Sequence, residues 1–194
     1  MKKLLVVVLT IAASVVSQAA TVNWSVTGLQ DSSGNALNGG YAYVFTTKGP
    51  NATTVAALTA ALEATTDATS FSAALDGFTY VTALSGAVSG GSQGVSDVLI
   101  SESGLQANTS NTKLFALITD TATITDDTNW YITSQTAGVK TGASDTALGT
   151  ANFSISDSGS HTAGNWKTVA APEPSSGILL LLGMAGLALR RKRA

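Results

Sequence analysis

The side chains that could do chemistry form three groups: one histidine, one cluster of carboxylates and three tryptophans. His161 is the single histidine of the chain, so a Ser-His-Asp triad would have to use it. It lies in residues 158–164, a stretch of glycine, serine and threonine with no strand or helix periodicity. This setting favours a solvated loop histidine over a catalytic base, and we expect no catalysis from it.

The carboxylate cluster consists of Asp120, Asp126 and Asp127, with Asn129 close by. Glycoside hydrolysis needs two carboxylates at a defined separation. Asp126 and Asp127 are adjacent, which would point them to opposite faces of a strand and fits a turn better. Calcium could take the same oxygens as ligands, but the DxDxDG spacing of an EF-hand is absent. We therefore predict no metal site, no cofactor and no enzymatic activity.

The tryptophans leave two interpretations open. Trp24, Trp130 and Trp166 each have Asn or Asp nearby in the sequence, so exposed rings could stack on sugars. All three also lie in predicted strands, where a tryptophan commonly belongs to the core. Buried rings would favour a structural protein, and two or more exposed rings on a concave face would favour a carbohydrate-binding module.

Charge and cysteine content exclude several classes of partner. The body, residues 20–170, has no arginine and carries four lysines against eleven acidic residues, a formal net charge of −7. Nucleic acid and anionic membrane surfaces are poor partners for such a body. Cysteine is absent, so neither a disulfide framework nor a thiolate metal site can form.

The periodicity of the body predicts an all-β fold. Alternating or continuous apolar runs predict strands at residues 22–29, 41–47, 78–83, 95–101, 113–119, 121–125, 130–134, 150–156 and 166–169. Apolar residues on both faces make 113–119 the best candidate for the innermost strand. The glycine- and serine-rich residues 84–94 lack a GxxxxGK[ST] motif and are interpreted as a flexible turn.

One stretch has a helical period. In residues 53–64, Val55, Leu58 and Leu62 recur at intervals of three and four, and Thr53 or Thr54 could cap the helix. Short strands separated by turn signals, together with this one short amphipathic helix, predict an antiparallel β-sandwich or jelly-roll-like body.

The N-terminal end has the pattern of a secretory signal peptide. Lys2 and Lys3 precede an apolar run at residues 4–16, and small residues follow at Ser17 and Ala19. We predict that residues 1–19 form the signal helix and that signal peptidase cuts after Ala19, with the next position as second choice. An uncleaved N-terminal anchor is the alternative.

The C-terminal tail, residues 171–194, contains three pieces in a fixed order. Pro172-Glu173-Pro174 comes first and is expected to be extended and accessible. Residues 177–189 follow as an apolar run of roughly 20 Å, shorter than the roughly 30 Å hydrocarbon core. The run predicts a short transmembrane helix. A basic stop that stays cytoplasmic comes last: Arg190, Arg191, Lys192 and Arg193.

This tail resembles the PEP-CTERM sorting signal of Gram-negative bacteria, on its Pro-Glu-Pro motif, its Leu/Gly/Ala helix and its arginine-rich end. The resemblance covers no other part of the chain. It implies recognition by an exosortase, a membrane protease-transferase that removes the tail near the motif. Known members are exported, and many occur with exopolysaccharide or biofilm-matrix systems. An ordinary C-terminal anchor is the alternative, and the Leu-Pro-x-Thr-Gly motif of sortase substrates is absent.

These segments predict an exported structural protein of the cell surface or extracellular matrix. The precursor would be anchored in the inner membrane by its C-terminal helix, and the mature chain would reach the surface or the medium. Signal peptidase and an exosortase are the expected partners, with exopolysaccharide as a further one. The alternative function is a carbohydrate-binding module delivered to the same place.

Overall fold

The computed structural model describes residues 21–100, 104–105, 109–141, 149–157 and 165–171. The predicted signal peptide, His161 and the tail from Pro172 onward lie outside these residues. The described chain forms two helices, α1 (Val55–Glu63) and α2 (Ala68–Asp76), and ten strands. The strands are β1 (Thr21–Thr27), β2 (Tyr41–Thr46), β3 (Gly86–Ala87), β4 (Ser92–Leu99), β5 (Thr109–Thr112), β6 (Leu114–Thr119), β7 (Asn129–Ile132), β8 (Val139–Thr141), β9 (Thr150–Ser156) and β10 (Lys167–Thr168).

The strands of the described residues pair into three sheets. A three-stranded sheet has the order β4-β1-β9, a five-stranded sheet has the order β10-β7-β6-β2-β3, and β5 pairs with β8. The predicted all-β body is confirmed as a mostly-β fold. The predicted antiparallel pairing is wrong for β1 and β9, which run parallel, and holds for the other strand pairs of the described residues. The chain between β1 and β9 is long enough to return in either direction, so no hairpin forces antiparallel pairing.

The main core lies between the two larger sheets. Strand β1 contributes Val22, Trp24 and Val26, which alternate with partly exposed polar residues and are all buried. They share a cluster with Val44 of β2 and Phe153 of β9. Strand β6 is buried at all six positions, which confirms the predicted innermost strand.

A second core lies between the five-stranded sheet and the helices. Phe45 and Phe115 stack from neighbouring strands with ring centroids 5.5 Å apart. They share a cluster with Leu58 and Leu62 of α1. The predicted helix and its cap are confirmed, because α1 begins after Thr54, whose side chain accepts a hydrogen bond from the Ala57 amide.

Helix α2 was not predicted. Only Phe71 and Leu75 are buried in its nine residues, and small polar residues and alanines occupy the rest. Two apolar residues four apart give too weak a period to indicate a helix. Its start is fixed instead by a capping box, in which the Asp67 carboxylate accepts from the Ser70 amide and the Ser70 hydroxyl accepts from the Asp67 amide.

Three segments differ from the predicted strands and turns. Residues 78–83 are not a strand, and the segment ends in a 3₁₀ turn at Thr82–Leu84 that fills the sheet edge beside β2. Residues 121–125 are not a strand either, because hydroxyls of Thr121 and Thr125 bond to Thr128 and close a turn there. Residues 84–94 hold β3 and the start of β4 as well as a turn.

Candidate functional site

The predicted carboxylate cluster is dispersed into structural hydrogen bonds. Asp120 accepts from the backbone amide of Asn129 at 2.9 Å and from its side-chain amide at 2.7 Å. Asp126 accepts from the Ala68 amide at 2.7 Å, which caps the first turn of α2. Within the described ranges, no group of three or more His, Cys, Asp or Glu side chains is arranged to hold a metal ion. Asp120 therefore ties the end of β6 to the start of β7, and Asp126 bonds to the start of α2.

Trp24 is a core residue on the inner face of β1. Its indole is 1% exposed and donates to the Gln93 side-chain oxygen at 2.6 Å. The Gln93 amide nitrogen then donates to the carbonyl of Leu84 at 2.9 Å. This bridge satisfies buried polar groups on two elements and holds β4 against the 3₁₀ turn, as buried polar side chains require.

Trp130 and Trp166 also pack against other parts of the body. Trp130 is buried beside Phe71 of α2, with ring centroids 5.6 Å apart, and the Lys167 ammonium lies 5.1 Å from its ring centroid. Trp166 is partly buried, contacts Tyr131 edge-on at 4.7 Å and donates to the carbonyl of Gln30 at 3.2 Å. The core interpretation is thus confirmed for Trp24 and Trp130, and Trp166 packs against the margin of the main core.

A cleft of about 560 Å³ runs beside α1 and the end of β7. Its lining includes Thr59, Thr133, Asp157, Asn165 and Lys167. The Lys167 ammonium forms an ion pair with Glu63 of α1, and both side chains are about half exposed to solvent. Such an exposed pair contributes little to stability.

Within this cleft, Tyr131 donates from its hydroxyl to Asp157 at 3.4 Å. Burial, reinforced by the neighbouring Asp157 charge, raises the pKa of the Tyr131 phenol well above its ordinary range. The phenol is therefore protonated at neutral pH and serves as a hydrogen-bond donor.

The outer face of the three-stranded sheet is a ladder of matched polar residues. Thr21 pairs with Thr150 at 3.0 Å between hydroxyls, and Asn23 donates to Asn152 at 2.8 Å. The Asn23 oxygen also accepts from the Asp97 amide at 2.8 Å, at a bulge of β4 where Asp97 has a φ of 57°. The face is uncharged along β1 and β9, and the side chains of Thr21, Asn23, Thr150 and Asn152 already bond to one another across the two strands.

A cluster of three tyrosines lies on the other side of the molecule, and we call it the tyrosine patch. Tyr41 and Tyr43 point to the same face of β2, with ring centroids 4.6 Å apart, and Tyr80 meets Tyr43 edge-on at 5.3 Å. All three rings are partly exposed. Alternation along the predicted strand at residues 41–47 places Tyr41 and Tyr43 on one face. The sequence gave no signal that Tyr80 joins them, since residues 78–83 were interpreted as a strand.

Comparison with known families identifies the tail. Residues 170–193 match the PEP-CTERM protein-sorting motif, which confirms the resemblance seen in the sequence. The chain therefore carries the sorting signal of exosortase substrates, which implies export and a membrane-anchored precursor that is processed to the cell surface. No curated protein and no solved structure matches the chain.

The membrane segment itself stays a prediction. No helix in the described part of the chain is long and apolar enough to cross a membrane. The apolar run at 177–189 and the stop from Arg190 to Arg193 lie beyond residue 171, outside the described residues, as do the signal-cleavage positions Ser17 and Ala19.

Proposed function

We propose that the protein is a structural component of the cell surface or extracellular matrix, delivered by its sorting tail. The observation that carries this proposal is the sorting motif at residues 170–193, joined to a body with two filled cores. Among the candidate side chains that the structure describes, Asp120, Asp126, Trp24 and Trp130 serve packing, capping and turn formation. This use of Asp120, Asp126, Trp24 and Trp130 supports a structural role over an enzymatic one.

Processing would take place in two cuts. Signal peptidase would remove residues 1–19 after Ala19. The apolar run would then hold the precursor in the inner membrane, with Arg190, Arg191, Lys192 and Arg193 on the cytoplasmic side. An exosortase would cut near Pro172-Glu173-Pro174 and release the body to the surface.

The expected partner in the matrix is exopolysaccharide. The formal net charge of −7, from four lysines and eleven acidic residues in 20–170, disfavours binding to nucleic acid and other polyanions. The protein would act there by adhesion, with no cofactor.

A carbohydrate-binding module is the second candidate, and one observation favours it. The buried Trp24 and Trp130 remove two of the three rings that the sequence offered for sugar stacking. Tyr41, Tyr43 and Tyr80 supply partly exposed rings instead. A carbohydrate-binding module would bind one defined glycan specifically, whereas a matrix component would adhere to the matrix polysaccharide as a whole.

Fractionation of the native host tests the proposed function. We expect the mature chain, lacking residues 1–19 and the tail, to sediment with the extracellular matrix. It should move to the soluble fraction in cells that make no exopolysaccharide. Recovery of the mature chain as a soluble protein in both strains would contradict a matrix role.

A further inference from the structure

We infer that the tyrosine patch, formed by Tyr41, Tyr43 and Tyr80, is a docking site for a neutral polysaccharide chain. The inference rests on the proposed function, since it names the surface through which the body would contact its matrix polymer. It concerns one side of the five-stranded sheet, at the point where the helices no longer cover the strands.

The patch exists because the helical layer ends before strand β2 does. Tyr41, Tyr43 and Phe45 alternate onto the helix-side face of β2. Phe45 is fully buried in the helix-side core, and Tyr43 packs against the margin of that core. Tyr41 lies outside the cluster, and its partner on the edge strand β3 is the exposed Ala87. The small Ala87 side chain leaves that flank of the Tyr41 ring uncovered.

The three rings are held in place by one another. Tyr41 and Tyr43 meet at an angle of 50°, and Tyr80 stands at 82° to Tyr43. Tyr80 is itself fixed from below by an edge-on contact with Phe45, at 6.3 Å between centroids. Because the rings are already positioned, binding of a ligand would cost little side-chain entropy of the tyrosines.

The chemistry of these rings fits a sugar chain. A pyranose presents C–H groups on its faces, which pack on aromatic rings, and hydroxyls at its rim. Tyrosine offers an apolar ring and a hydroxyl that both donates and accepts. Burial raises the pKa of both Tyr41 and Tyr43, so these phenols are protonated at neutral pH.

The charges around the patch favour a neutral polymer over an acidic one. Asp76, at the end of α2, is exposed and close enough that its charge raises the pKa of Tyr43, behind the larger effect of burial and the contributions of the other tyrosines. The body as a whole has an excess of acidic residues. An anionic polysaccharide would meet repulsion from both sources.

The test compares a ring deletion with a hydroxyl deletion at Tyr41, the ring that lies outside the core. Tyr41→Thr removes the ring and retains a residue that favours strands. Tyr41→Phe retains the ring. Asn152→Ala, on the outer face of the three-stranded sheet, is the control for a polar change elsewhere. The full chain in mild detergent is run in affinity electrophoresis through gels containing hydroxyethylcellulose, dextran, galactomannan or alginate.

We expect retardation by at least one neutral polymer and none by alginate. Tyr41→Thr should weaken the binding about fivefold to tenfold, in line with the loss of one stacked ring. Tyr41→Phe should bind about twofold to threefold more weakly than the wild type, because it keeps the ring and loses one hydroxyl hydrogen bond. Asn152→Ala should bind within a factor of about two of the wild type. Melting curves by circular dichroism establish that all variants are folded.

Three results would overturn the inference: no retardation by any neutral polymer, retardation by alginate alone, or equal binding by wild type and Tyr41→Thr. A tyrosine patch used for protein contacts would show as a dimer lost in Tyr41→Thr, without retardation by polymer, and that also overturns it. Matrix fractionation separates this failure from failure of the proposed function. If the Tyr41→Thr variant sediments with the matrix as the wild type does, the protein adheres through another surface.

Discussion

The body and the tail of this chain encode their roles in different ways. In the body, Trp24, Gln93 and Leu84 are brought together from three elements, and none of them has its role without the others. In the tail, Pro172, Glu173 and the basic stop follow one another along residues 170–193. A linear signal is read by an enzyme as a sequence, whereas a core exists only after folding. The sequence alone therefore predicted a function from the tail, whereas from the body it predicted only the fold class.

This difference predicts that the two regions fail independently. Substitutions in the cores should lower the free energy of unfolding and leave the sorting signal intact. Substitutions in the tail should impair sorting and leave the free energy of unfolding of the body unchanged.

Phe71→Ala should be the most damaging of these changes in the body. Phe71 is fully buried on α2 and packs against Trp130 of β7, so its loss leaves a cavity between helix and sheet. We expect a loss of about 3–5 kcal/mol in the free energy of unfolding, measured with urea. Thr69→Ala, an exposed change in the same helix, should stay within about 0.5 kcal/mol. A loss below about 1 kcal/mol for Phe71→Ala would show that α2 is not part of a core.

Gln93→Leu tests the buried polar bridge of the main core. The change leaves the Trp24 indole N–H and the Leu84 carbonyl without their partner. We expect a loss of about 2–3 kcal/mol in the free energy of unfolding, because each buried polar group then lacks a hydrogen bond. Gln135→Leu alters an exposed glutamine and serves as the matched control. Equal stability of the two variants would contradict the bridge.

Asp67→Asn should have the smallest effect, and acid should reveal it. A hydrogen bond from the Ser70 backbone amide is the largest cause that lowers the pKa of Asp67. A carboxyl whose folded pKa is lowered stabilises the fold above its unfolded pKa of about 4, and this contribution is lost as pH falls through the folded pKa.

The variant should therefore melt slightly lower than the wild type at pH 7, and the difference should shrink below about pH 4. Melting temperatures across pH 2–7 measure this. Asp127→Asn removes one negative charge from an exposed turn position and controls for net charge. A difference between Asp67→Asn and wild type that stays constant down to pH 2 would show that the Asp67 charge does not hold the helix start.

The parts of the fold that the sequence predicted depend on local pattern. Strand β6 has apolar residues on both faces, and α1 repeats leucine at positions 58 and 62 behind a threonine cap. The parts that were missed depend on distant partners. Helix α2 has a local capping box but only two buried apolar residues, and a further bond at its first turn comes from Asp126, 58 positions away from Ala68. Strand β9 pairs with β1 across 129 positions. No local period indicates such pairings.

The site shows the same division. Alternation places Trp24 on one face of a strand, but which face is covered depends on the other sheet. Tyr41 is partly exposed and Phe45 is buried on the same face of β2, because the helices end between them. The sorting signal of the tail could be predicted without the fold, since its three pieces are contiguous in the sequence.

The central claim, that the tail is a sorting signal, is tested by Glu173→Ala. This change leaves the apolar run and the basic stop unaltered, so a plain anchor would work as before. Replacing Arg190, Arg191, Lys192 and Arg193 with serine should weaken membrane retention under either account and is the control. The measurement is the size and location of the protein in a host with an exosortase and in one without. We predict a shortened wild type at the surface only where the enzyme is present, and a full-length, membrane-bound Glu173→Ala precursor in both hosts. Wild-type protein of equal size in the two hosts, with its tail retained, would contradict the account.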